Sequence, residues 1–149
     1  MYADAETAEI IRKMLVNALF STAWDYEEFG FGDSNNFNSK KFLTNWYGLL
    51  LDFGIDDPYL EYVATNGMNG KMPEFTSNSF PDALRTYMRT GWTKKDIMLG
   101  FTNKGGNVTH NHRDQLNIVL MAYGQNLLVE SYGAEYAGDR RSSDVSAAM

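Results

Sequence analysis

Both histidines of the 149-residue chain stand two residues apart, in the stretch Gly105-Gly106-Asn107-Val108-Thr109-His110-Asn111-His112-Arg113-Asp114-Gln115-Leu116-Asn117. On an extended backbone, side chains alternate between faces, so His110, His112 and Asp114 point the same way. Two chemistries follow. Two imidazoles at this spacing can share a cation, with a carboxylate completing part of the shell; Asp114 is the local donor and Glu130 the one across the following hairpin. Alternatively, a neutral imidazole exchanges a proton with substrate in concert with a tyrosine, and Tyr132 and Tyr136 lie on the returning arm. A tyrosine hydroxyl ionises only well above neutral pH unless a cation or a neutralised substrate assists it. Polar residues also gather at strand entrances merely because the chain is leaving solvent. The pairing of the histidines beside a Gly-Gly step favours a site.

Several other chemistries are excluded. Binuclear metal hydrolases need more than two histidines. No serine sits on a tight glycine-flanked elbow. The glycine pairs belong to neither phosphate-binding pattern, since Gly-x-Gly-x-x-Gly and a Gly-Lys-Ser/Thr ending are both absent. Without cysteine there are no disulfides, no thiol catalysis and no cysteine-ligated zinc.

The elements that must position this stretch fall into two grammars. Helical periodicity covers the first part. Ile10, Ile11, Met14, Leu15, Ala18 and Leu19 form a stripe on a helix from about Asp4, its cap, to Phe20. Phe42, Leu43, Trp46, Tyr47, Leu50 and Leu51 repeat that stripe on a second helix, from Ser39 to about Phe53, stopped by Gly54. A third, short helix starts at Asp57-Pro58, shows Tyr59, Tyr62 and Val63 on one face, and ends at Asn66-Gly67. Short loops between matched stripes predict antiparallel neighbours. Between the first two helices, residues 21–38 are irregular and rich in aromatics, which suits a ligand-handling surface or a buried connector.

After Gly67 the punctuation changes to Gly70, Pro73, Asn78 and Pro81. Strand-like runs follow at Leu84–Trp92, Ile97–Asn103 and Leu116–Tyr123. Gly124-Gln125-Asn126 is expected to turn the last run back into Leu127–Glu130. The class expected is α+β, with a helical segment over 1–67 and an antiparallel β segment over 68–149. Four strands with a helical flank leave a sheet edge and one face open. The expectation is that the chain is an excerpt of a longer protein or needs another copy, a homo-oligomer, to cover that surface.

Composition narrows the partners. A net charge of −6 disfavours a general nucleic-acid binder. An acidic substrate would have to rely on local cations such as Arg113, Arg140 and Arg141. No apolar run approaches membrane-spanning length, and the N-terminus lacks the basic-then-apolar pattern of a signal peptide. Aromatics at 14% exceed what a small core needs, and sugar-binding surfaces use such rings.

One ordered set of pieces is more specific. Phe31-Gly32-Asp33-Ser34, Phe80-Pro81-Asp82-Ala83, Tyr87-Met88-Arg89-Thr90-Gly91-Trp92, Gly105-Gly106, His110-Asn111-His112-Arg113-Asp114-Gln115-Leu116-Asn117, Tyr123-Gly124-Gln125-Asn126-Leu127-Leu128-Val129-Glu130 and Tyr132-Gly133-Ala134-Glu135-Tyr136 succeed one another. Over roughly residues 24–137 this resembles the helix-to-sheet junction of heparinase II/III-like polysaccharide lyases. The Asp-x-Leu-Asn and Tyr-Gly-Ala-x-Tyr pieces lean toward the alginate and oligoalginate lyase branch. The resemblance implies the end of an incomplete α/α toroid followed by the start of a β-sandwich. It also implies β-elimination on an acidic, uronate-containing polysaccharide, in a secreted or periplasmic setting.

By that resemblance His110 matches the active-site histidine of the sheet domain; on the returning arm Tyr136 is the candidate catalytic companion, and Arg113 and Asn111, beside the histidines, are the candidates toward the sugar. His112 matches a histidine that helps bind a structural zinc in some members, with Glu130 where an aspartate is more usual. The toroid half of such an active site would precede Met1, so the chain by itself is expected to be inactive. Two further readings compete with a lyase segment. One is a non-catalytic carbohydrate-binding module that keeps the fold and not the chemistry. The other is a small metal-binding β protein with His110 and His112 as ligands.

Overall fold

The structure is a computed structural model, described here for residues 4–29, 31, 42–103 and 115–128. Three helices come first: α1 (Ala5–Phe20), α2 (Phe42–Asp52) and α3 (Pro58–Ala64). Asp4 caps α1 as expected, its carboxylate accepting from the Thr7 amide at 2.9 Å. Asp57 does the same for α3 through the amides of Tyr59 and Leu60, and Pro58 occupies the first turn where its missing N–H costs nothing. Asn66 and Gly67 then take left-handed backbone angles and end the helical region. Ser39, the expected cap of α2, lies outside the described residues.

Five antiparallel strands follow in simple sequence order: β1 (Asn78–Phe80), β2 (Arg85–Arg89), β3 (Ile97–Thr102), β4 (Asn117–Ala122) and β5 (Gln125–Leu128). The α+β class is therefore observed, with one strand more than the sequence foretold. Three residues of β1 are too few for an alternating pattern to register. The last turn also differs. It is Tyr123-Gly124, both with positive φ (53° and 72°), rather than Gly124 to Asn126, so the final strand starts earlier than expected. Both residues in the left-handed region is the two-residue hairpin geometry that matches sheet twist.

Two clusters make the core. Leu15, Leu19, Leu43, Tyr47, Leu50, Leu60 and Val63 pack the helices together. Tyr87, Met98, Val119 and Met121 pack one sheet face against Phe20, Ala23, Phe29 and Phe31. The described part of the aromatic loop after α1 is thus a buried connector. An isolated bridge between Thr22 and Glu28 folds it back on itself, and Phe31 lies so close over Gly100 that a Cβ there would meet its ring at 2.8 Å. Phe75 joins the two clusters, 4.9 Å from the Phe20 ring and 6.0 Å from the Trp92 ring.

Two alternating apolar sets run along β3 and β4, and the bulkier one is not the buried one. Ile97, Leu99 and Phe101, and Leu116, Ile118 and Leu120, lie away from the packed face. Met98, Gly100, Thr102, Val119 and Met121 are the buried set. Both sets are largely apolar, so periodicity locates the strands and leaves their orientation unspecified.

Candidate functional site

His110, Asn111, His112, Arg113, Glu130 and Tyr136 all lie outside the described residues. What the structure fixes is the frame. Residues 104–114 join β3 to β4, whose facing ends pair Thr102 with Asn117. One strand further over, Arg85 pairs with Thr102. The row Arg85–Thr102–Asn117 therefore defines the end of the sheet from which the histidine segment departs.

At that same end, a cleft of about 470 Å³ opens between α1, α2 and the start of β2. Met14, Leu15, Leu49 and Phe53 supply apolar walls, and Asn17, Ser21, Glu28 and Arg85 supply polar groups. The Arg85 guanidinium lies 5.7 Å from the centroid of the Phe31 ring. Glu28 is held in the cleft by the bridge to Thr22. Burial lifts its carboxyl to about 7, against the opposing pull of Arg85. A carboxyl poised there can hold or release a proton near neutral pH. The Oδ1 of Asn17 is buried and has no hydrogen-bond partner among the described residues. Sequence reasoning missed Glu28 and Arg85. Each is an ordinary charged residue in its own segment, and 57 positions of chain separate them.

A second buried cation ties the helices to the sheet. Arg89, on the packed face of β2, donates through Nη2 to the carbonyls of Phe20 (2.6 Å) and Thr22 (3.0 Å). Its guanidinium stacks 3.7 Å from the centroid of the Trp92 ring. Phe20 and Thr22 flank the C-terminus of α1, where the last helix carbonyls lack partners and favour positive charge. Desolvation lowers the Arg89 pKa to about 10, which leaves it protonated at neutral pH. Trp92 is fixed in turn by its indole N–H, which donates to the Phe75 carbonyl at 2.8 Å. This clamp is structural: it fixes the end of α1 against β2.

Among the described residues, no group of three or more His, Cys, Asp or Glu side chains could hold a metal. His112 and Glu130 are not among them.

Helices followed by a five-stranded antiparallel sheet in this arrangement define a heparinase-like α+β fold, established by likeness to solved structures. A heparinase III structure superposes with a TM-score of 0.74 at 22% identity, over 96% of this chain and 22% of that one. The heparan sulfate lyase HepC from Pedobacter heparinus gives 0.71 at 21% identity, over 93% of this chain and 22% of its own. In sequence, a heparin-sulfate lyase of Bacteroides stercoris is 26% identical over 134 residues, which is 90% of this chain and 20% of that protein. No family model matches. The chain spans about a fifth of the length of the relatives it is similar to.

Proposed function

We propose that this chain is part of a polysaccharide lyase that cleaves an acidic, uronate-containing glycan by β-elimination, with a heparin or heparan sulfate type of polymer as substrate. The observation that carries the reading is that fold and sequence point to the same kind of relative. The fold matches heparinase III over nearly the whole chain, and a heparin-sulfate lyase shares 26% of its residues over 134 positions. The ordered motif set around His110 adds to it.

In this reaction the uronate carboxylate is neutralised, which acidifies the adjacent C–H. A base removes that proton, the electrons form a ring double bond, and the glycosidic C–O bond breaks as its oxygen takes up a proton. His110 and Tyr136 are the proton-transfer pair in this reading, and Arg113 and Asn111 engage the sugar acid and hydroxyls. Arg85 and Glu28 sit at the sheet end where this segment joins, and serve to hold the charge balance there. A structural zinc on His112 and Glu130 belongs to the same proposal. Those donors, one nitrogen and one oxygen, are half of the four a structural zinc takes, so the remaining ligands would come from elsewhere. The open apolar sheet face is where a second sheet of a sandwich would pack, and the three helices would close a toroid.

The test is turnover by the protein in its complete reading frame, followed as ultraviolet absorbance of unsaturated uronate. Heparan sulfate should be cleaved, and His110→Ala should abolish cleavage with circular dichroism unchanged. Cleavage of alginate in place of heparan sulfate would move the substrate to the branch that the Asp-x-Leu-Asn and Tyr-Gly-Ala-x-Tyr pieces favour. Cleavage of no uronate-containing glycan, with the glycan still bound, would make the protein a non-catalytic carbohydrate-binding module. The 149 residues alone are expected to release no unsaturated product.

A further inference from the structure

At the opposite end of the sheet from Arg85, the β2–β3 and β4–β5 turns lie side by side, because Ile97 pairs with Ala122. The first turn is braced from within. The Asp96 carboxylate accepts from the Thr93 amide (2.9 Å), the Thr93 hydroxyl (2.6 Å) and the Thr90 hydroxyl (3.2 Å). These bonds hold its pKa below the usual carboxylate range and occupy both oxygens. Lys94 and Lys95 ride on this turn. The Lys94 stem crosses Gly124 so closely that any Cβ there would collide with its methylenes, and its ammonium stands 5.3 Å from the centroid of the Trp24 ring.

The lack of a carboxylate in ion-pair contact sets these two lysines apart among the described residues. Arg12 and Lys13 face Glu9, Lys71 faces Glu74, Arg85 faces Glu28, and Arg89 is buried against carbonyls. Among the described residues, Lys94 and Lys95 are the exposed cations with no carboxylate within ion-pair distance. In a chain of net charge −6, two lysines on one turn against the single Asp96 carboxylate leave a local excess of positive charge that attracts anions.

Beside them stands Tyr123. It is 71% exposed and occupies the first position of the left-handed two-residue turn, at φ 53°. That position suits Asn, Asp or Gly, and a bulky aromatic there is strained. An exposed ring kept in a strained position, on the turn that the Lys94 stem crosses, has the makings of a ligand platform. Its face can lie against the C–H face of a pyranose while the lysines meet sulfate or carboxylate.

We propose that Lys94, Lys95 and Tyr123, braced by Trp24, Gly124 and Asp96, form an accessory binding surface for an anionic oligosaccharide, about 17 Å along the strands from the row where the histidine segment joins. The choice of ligand class rests on the acidic-glycan reading above; the surface itself does not. It would hold a polymer at a point remote from the bond being broken.

The test is calorimetric titration of the 149-residue chain with a heparin-derived hexasaccharide, a neutral dextran oligomer and a polyphosphate of matched charge. The wild type should bind the hexasaccharide and not the dextran. Replacing both lysines (Lys94→Ala with Lys95→Ala) should weaken that binding about tenfold. Tyr123→Asn should weaken it about threefold while raising the Tm, because it relieves the turn. Opposite signs on affinity and stability separate a binding role from a structural one. Binding that both variants retain would overturn the surface and leave the lyase reading untouched, which is judged by turnover in the complete protein. Absence of hexasaccharide binding by the wild type would overturn it too. So would equal affinity for polyphosphate, since that is ion exchange without sugar recognition.

Discussion

The two faces of the sheet are made of similar material and live in different environments. The packed face buries Tyr87 and Met98 completely and Val119 to 1% exposure, under Phe29, Phe31 and the end of α1. The other face carries Met88, Ile97, Leu99, Phe101, Ile118, Leu120 and Leu128, a richer apolar set, of which Met88, Ile97, Ile118 and Leu128 stand exposed. An antiparallel sheet with one solvated face ordinarily alternates apolar with polar. Apolar residues on both faces mark a strand set meant to be covered twice. The described residues cover it once. What differs between the faces is therefore the supply of partner elements and not the residues themselves.

Paired substitutions sharpen this contrast. Met98→Ala on the packed face should cost about 2–5 kcal/mol, from lost transfer energy and a cavity that the surrounding rings cannot close. Urea unfolding that moved its midpoint only marginally would mean the cluster is not a rigid core. Arg89→Ala should come next, at about 2–3 kcal/mol, because the Phe20 and Thr22 carbonyls would be left buried and unpaired. Equal stability of that variant and wild type would show that water replaces the guanidinium at no cost.

Glu28, in the loop that covers the packed face, gives a pH-dependent probe. Its folded pKa of about 7 lies above the ordinary 4.5, so the unfolded chain ionises first as pH rises. The native state loses stability between those two values and carries the full penalty above the higher one. Glu28→Gln should therefore raise stability at pH 8 by on the order of 1–2 kcal/mol, allowing for its residual contact with solvent, and change little at pH 4. The reverse pH trend would mean that Arg85 outweighs burial. The smallest effect belongs to the open face, where Ile118→Ala should cost about 1 kcal/mol or less in the isolated chain. A loss matching that of Met98→Ala would reveal a cover over that face.

How legible all this was in the sequence varies by element. The caps at Asp4 and Asp57, the Asn66-Gly67 stop and the three long strands could be read directly, because each depends on neighbours within a few residues. The cleft could not. Glu28 and Arg85 come from a loop and a strand start, and nothing local to either marks it as half of a pair. The cationic turn was equally silent. Two adjacent lysines are commonplace until the other exposed cations are seen to have partners. His110, Asn111, His112, Arg113, Glu130 and Tyr136 remain sequence-based assignments, carried by motif order.

The amino-acid order left β1 and the Tyr123-Gly124 turn open and settled the caps at Asp4 and Asp57, the Asn66-Gly67 stop and the places of the three long strands. These are short-range matters of sterics and donor satisfaction, complete within a turn or a hairpin. Tertiary structure alone decided which apolar face is buried, that Arg89 locks α1 to β2, and that Lys94 lies over Trp24 across 70 positions of chain. Burial is a property of what packs on top, and that depends on elements distant in the chain.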